Sequence, residues 1–181
     1  MELLPVLQTG RLIVLYAPHA ARDESASLAA ELALRGAVTV LDGGNRFLPY
    51  RVAHLLRRKT ADVTAASNRL FIRRAFTCYE MNSLLAETPA LHQPCLILDL
   101  LNTFYDDHVP AHETGRLLKS CLRQIQRLGL SAPVVITLAP PLVEERAFLI
   151  EQVCASADEV FIPKADLSPL PSQPCLFPLT T

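Results

Sequence analysis

The sequence predicts an α/β protein: a mainly parallel sheet with helices on both faces. Three observations carry this. Short apolar runs rich in β-branched residues alternate along the chain with segments of helical periodicity. Two of the runs, residues 95–101 (CLILDLL) and 133–138 (PVVITL), are hydrophobic almost throughout, the pattern of strands covered on both sides. The 181 residues, half of them hydrophobic, with 17 Lys and Arg against 18 Asp and Glu, suit one globular domain with a core of its own. That composition excludes a disordered chain, a collagen and a coiled coil.

In chain order, residues 12–16 (LIVLY) form a first strand. A helix starts near residues 22–25, where Asp23 and Glu24 favour its positive end, and stops at Gly36. Residues 37–41 (AVTVL) make a second strand, 49–59 a helix, 70–76 a short strand interrupted by Arg73 and Arg74, and 79–87 a further helix. The strand at 95–101 carries one carboxylate, Asp99, near its C-terminal end. From His112 to Leu130 the residues Leu117, Leu118, Cys121, Leu122, Ile125 and Leu128 recur at helical spacing, with Arg116, Lys119, Arg123 and Arg127 on the other side. A strand at 133–138, a helix at 142–155 and a strand at 159–162 complete a core expected to span residues 1–165. A proline-rich tail follows at 166–181, too broken by proline for sheet interior.

No apolar stretch approaches the roughly 18–20 residues a bilayer demands, and Met1 is followed by Glu2 with no basic leader, so the expectation is a soluble, unsecreted chain without membrane contact, cytoplasmic or nucleoid/nuclear. The five cysteines (Cys78, Cys95, Cys121, Cys154, Cys175) form no C-x-x-C pair and are expected to be reduced and mostly buried.

Several stretches taken in order resemble the RecA-type recombinase family. In residues 40–52 (VLDGGNRFLPYRV), Asp42, Phe47, Pro49 and Arg51 match an Asp that ends the second core strand and a following F-x-P-x-R. Arg74, Ala75 and Phe76 resemble the R-A-F that ends the next strand in the archaeal and eukaryotic branch. Residues 95–105 resemble a Walker B strand, with Asp99 in the place of the acid that holds a magnesium-bound water. The helix over 116–128 and the strand VVIT at 134–137 resemble the next pieces of that core. The resemblance covers residues 10–140 and implies a three-layer RecA-like core.

The departures bear on activity. A Walker A loop, G-x-x-x-x-G-K-[ST], wraps phosphates with backbone N–H groups and neutralises them with Lys. Here residues 17–25 read APHAARDES, with no glycine, no lysine and two acids. Side chains with a Cβ are expected to resist the positive-φ conformations of such a cradle, and Asp23 and Glu24 would repel the ligand. Arg22 offers one positive charge. The water-activating glutamate that the resemblance implies, two residues after Asp42, is Gly44. An ATPase is therefore not expected, no catalytic residue is assigned, and Arg22, Asp42 and Asp99 remain as a remnant nucleotide site. For Asp99 the sequence favours a plainer reading, an acid that ends a strand in solvent.

Charge is distributed unevenly. Arg46, Arg51, Arg57, Arg58, Lys59, Arg69, Arg73 and Arg74 face one acid, Asp62, a local balance of +7 against −8 for the rest. Such a stripe suits nucleic-acid phosphates, with binding that falls steeply with salt; a solvated face whose arginines pair with acids on other helices explains it as well. With no Trp, phosphate contact fits better than base stacking. Asp106, Asp107, His108, His112 and Glu113 gather possible metal ligands, but Pro110 separates the two histidines, so an acidic helix start is expected and no metal.

The sequence thus leads to a non-hydrolysing RecA-like domain that acts by binding, beside a recombinase or on DNA in recombination and repair, without cofactor. Two rivals stand beside it: an ATPase that takes ATP and magnesium through an unusual loop, and a protein-interaction adaptor without DNA binding.

Overall fold

The computed structural model describes residues 4–141 and 144–162. The proline-rich tail and Cys175 lie outside the described residues. A six-stranded, all-parallel sheet forms the middle layer. Its elements are β1 (Leu12–Tyr16), α1 (Arg22–Arg35), β2 (Val38–Asp42), α2 (Pro49–Arg57), α3 (Val63–Ser67), β3 (Leu70–Arg74), α4 (Cys78–Glu87), β4 (Cys95–Leu98), α5 (Ala111–Gly129), β5 (Val134–Leu138), α6 (Ala147–Ala155) and β6 (Glu159–Phe161). The strand order is β3-β2-β4-β5-β1-β6, so β5 separates β1 from β4 and the edges are β3 and β6.

Alternation along the strands sorts the core into two halves. Ile13, Leu15, Val38, Val40, Leu96 and Leu98 face α1, α2 and α3, where Leu28, Leu32, Val52, Leu56 and Ala66 pack. Leu12, Val14, Leu41, Cys95, Ile97 and Ile136 face α4, α5 and α6, against Met81, Leu85, Leu118, Cys121, Ile125, Leu149 and Val153. The result is the three-layer α/β architecture expected, consistent with a RecA-like core. Burial pushes the thiols of Cys95 and Cys121 up to about 12, and Cys78, Cys95, Cys121 and Cys154 are all free.

Some boundaries differ from expectation for identifiable reasons. The strand read over 95–101 ends at Leu98, because Asp99 adopts a left-handed conformation (φ 49°) and starts a 3₁₀ segment at Leu100–Phe104. The strand read over 70–76 stops at Arg74, since Thr77 caps α4 by accepting the Glu80 N–H at 3.1 Å. The helix read from residue 142 begins at Ala147, after a single 3₁₀ turn at Glu144–Arg146. One short helix, α3, was not expected; Asp62 caps it, accepting the Ala65 N–H at 2.8 Å. No helix among the described residues is long and apolar enough to cross a membrane.

Candidate functional site

The C-terminal ends of β1, β2, β4 and β5 meet where ligands lodge in parallel sheets. At the end of β2, the Asp42 carboxylate accepts the backbone N–H of Arg46 at 2.8 Å and of Phe47 at 3.1 Å. Asn45, with φ 51°, makes the tight reversal this closure needs, a conformation that Asn tolerates. The closed loop turns the Arg46 side chain back over the sheet, where its Nε donates to Asp99 Oδ2 at 2.7 Å. Asp99 also accepts the Ala139 N–H at 3.3 Å, while its own N–H donates to Thr137 Oγ1 at 2.9 Å. Arg74 completes the group, Nε to Asp42 Oδ2 at 3.3 Å.

Both acids are therefore interior. Asp99 is 0% exposed and Asp42 1%, which overturns the reading of Asp99 as a strand terminator in solvent. A buried carboxylate must be hydrogen-bonded and paired, and here a guanidinium of this chain does the pairing.

Gly44 lies directly against this pair. A Cβ built there would fall 2.6 Å from both Cβ and Oδ2 of Asp99, closer than any real contact, so position 44 has no room for a side chain. The residue that the family resemblance makes a water-activating glutamate is thus excluded by space as well as absent from the sequence.

The turn between β1 and α1 corrects a second expectation. His19, Ala20 and Ala21 all have positive φ (56°, 54° and 48°), although each carries a Cβ. The left-handed stretch therefore forms without glycine, at a cost of roughly 1–2 kcal/mol per residue. It lacks a cation of the Lys type: Arg22 is the first residue of α1, exposed, and shares no hydrogen bond or ion pair with Asp42 or Asp99 among the described residues. Asp23 pairs instead with Arg51 at 3.5 Å.

Beside the turn lies an open cavity of about 560 Å³, lined by Pro18, His19, Arg46, Tyr105 and Arg146 among others. The Tyr105 hydroxyl donates to the Ala139 carbonyl at 3.0 Å, and burial, then the charge of Asp99, raise its pKa, so it remains a neutral donor. Arg146 donates to Thr114 Oγ1 at 2.8 Å and to the carbonyls of Val109 at 2.7 Å and Asp106 at 3.2 Å. Tyr105 closes the stretch that resembles a Walker B strand without a role of its own there, and no motif or periodicity marks Arg146.

The basic stripe is largely engaged within the chain. Besides Arg46, Arg51 and Arg74, Lys59 pairs with Glu31, and Arg73 with Glu87 at 3.1 Å. Arg69 donates to the last carbonyls of α1, Ala33 at 3.1 Å and Leu34 at 3.2 Å. Arg57 and Arg58 alone of the eight have no ion pair or side-chain hydrogen bond among the described residues.

At the other constellation, the ligand atoms of Asp106, Asp107 and His108 lie within 4.8 Å of one another, all on exposed side chains. His108 Nδ1 sits 2.9 Å from Asp106 Oδ1 and 3.2 Å from Asp107 Oδ1. Pro110 is the N-cap of α5 and keeps His112 on the helix, apart from this group, as the sequence suggests.

A bound ATP–magnesium group does not fit the residues present: the Asp99 carboxylate is held by Arg46, position 44 admits no base, and the opening turn has no lysine. No protein-family model matches the chain, and no curated protein matches it in sequence.

Proposed function

We propose that this chain is a RecA-like domain without nucleotide hydrolysis, acting as a binding or scaffold subunit in DNA recombination or repair. The observation that carries the reading is the Arg46–Asp99 pair. An internal guanidinium engages Asp99, the acid to which the resemblance gives the magnesium-bound water, and Gly44 is walled in by the same carboxylate. Hydrolysis of a phosphoanhydride needs charge neutralisation and an oriented water, and the groups for both are spent or missing. What remains is a rigid sheet with arginines at its surface.

Calorimetry of the purified chain with ATP and magnesium tests the loss of the nucleotide site: no binding heat and no phosphate release are expected. Saturable binding together with hydrolysis that Asp99→Asn abolishes would overturn the reading.

For the DNA-binding part, Arg57 and Arg58 at the end of α2 are the residues free to meet phosphates. Binding to single- or double-stranded DNA is expected to weaken steeply with salt, and Arg57→Ala with Arg58→Ala to flatten the salt dependence by about one counterion each. The pairing of the other six basic residues favours a second reading, an adaptor that meets protein alone. Absence of DNA binding at low salt selects it.

A further inference from the structure

The β3 edge carries exposed apolar side chains that the functional reading does not use. Phe71 (55% exposed) and Ile72 are exposed on opposite faces of β3, Phe76 (75%) and Tyr79 are exposed between the end of β3 and the first turn of α4, and Leu91 is exposed in the loop after α4. A shallow apolar groove of about 220 Å³, bounded by Phe71, Arg73, Pro89 and Leu91 among others, runs beside it.

The backbone of this edge has a definite polarity. Val38 N–H bonds to Arg69 O at 2.9 Å and Ala75 N–H to Asp42 O at 3.1 Å. In the parallel register Val38↔Leu70 to Asp42↔Arg74, these bonds turn the peptide groups of residues 69, 71, 73 and 75 toward β2. The N–H and C=O groups of Leu70, Ile72 and Arg74 therefore point outward, where among the described residues no further strand pairs with β3.

We propose that β3 pairs antiparallel with β3 of a second copy of this chain, on a two-fold axis through Ile72. The sequence LFIRR is self-complementary in that register. Ile72 meets Ile72 of the second copy and Leu70 meets Arg74, so every outward-pointing residue sits in a hydrogen-bonded pair. Phe71 lies opposite Arg73 in the closer, non-bonded pair, where a guanidinium stacks on an aromatic face. The arginines do not repel across the axis, because Arg73 is already paired with Glu87 and Arg74 with Asp42 in each copy. A shift of the register by one residue would set paired backbone groups against unpaired ones and lose the match. Two six-stranded sheets then join into one of twelve, with the exposed Phe71 of each copy at the seam. This inference rests on the edge geometry and is independent of the fate of the nucleotide site.

Sedimentation equilibrium of the full chain, run over a range of concentrations, tests it. A monomer–dimer equilibrium is expected, with Ile72→Pro weakening association at least tenfold. The Ile72 N–H faces away from β2, so proline removes an intermolecular bond while leaving the ladder to β2 intact, and an unchanged circular dichroism melt controls for folding. A second arm mixes Phe71→Cys with Arg73→Cys. Mild oxidation should yield a covalent dimer in the mixture above the level that either variant or the unmodified chain gives alone. A chain that stays monomeric at all concentrations, or a dimer that both arms leave unaffected, overturns the proposal.

Discussion

Arg46 serves two carboxylates at once: its backbone N–H holds Asp42 and its guanidinium neutralises Asp99. Truncating it leaves the buried Asp99 unpaired. Arg46→Ala is expected to cost about 2–3 kcal/mol, below the full penalty for breaking a buried pair because the arginine is partly exposed. Urea unfolding of the single and double variants checks this: Arg46→Ala with Asp99→Asn should lose less than Arg46→Ala alone, and equal losses would dissociate the pair. At the opposite extreme of exposure, the hydrogen bond to Asp106, then the charges of Asp107 and Asp106, raise the His108 pKa above its ordinary 6.5, while bonds from His108 lower that of Asp106. The folded state thus holds the His108 proton more tightly than the unfolded one. The resulting stabilisation is complete below about pH 6.5 while Asp106 stays ionised, is lost as pH rises through the raised His108 value, and is lost again in acid as Asp106 takes up its proton. An NMR titration should place the His108 midpoint above that of a model peptide, and Asp106→Asn should lower it. Sequence made the approximate place of Asp99 legible, because an apolar run closed by an acid is visible. It did not reveal the partner, since Arg46 and Asp99 are brought together only by the β2–β4 pairing.

Among the elements, those with strong periodicity were readable and those set by tertiary contact were not. The long run of apolar positions in α5 and the continuous hydrophobics of β4 and β5 appear within a residue or a few of where they were expected. The turn from β1 to α1 behaved otherwise: three consecutive left-handed residues form there without glycine, two of them, Ala20 and Ala21, buried, and no local pattern encodes this. His19 is the exposed member of that run, so replacing it relieves strain without emptying the core. His19→Gly should raise stability by about 0.5 kcal/mol, the relief of a left-handed Cβ less the added freedom of the unfolded chain. The urea midpoint should move up at an unchanged slope. A downward shift would mean that the imidazole contributes to the cavity wall more than its backbone costs.

For the whole molecule, composition and alternation of runs sufficed for the layers, yet the net charge concealed how the basic residues are spent. The +7 segment looked like a surface for a polyanion; in three dimensions α1 and α4 return Asp23, Glu31 and Glu87 to it. Pairing across the fold is invisible to any count along the chain. The strand order has a comparable effect on folding. Among the described residues β1 bonds only to β5 and β6, and β2 only to β3 and β4. A fragment ending at Ser131 therefore keeps β2, β3 and β4 but leaves β1 without a neighbour. It should show no cooperative urea transition, whereas the full chain should show one.

During synthesis the same arrangement imposes a wait. β1 leaves the ribosome well before β5 and finds no bonding neighbour until Val134 and its successors follow, a delay on the order of ten seconds at about 5–20 residues per second. Throughout that interval Leu12 to Tyr16 is a bare, greasy segment, and its protection falls to whatever chaperones stand at the exit tunnel.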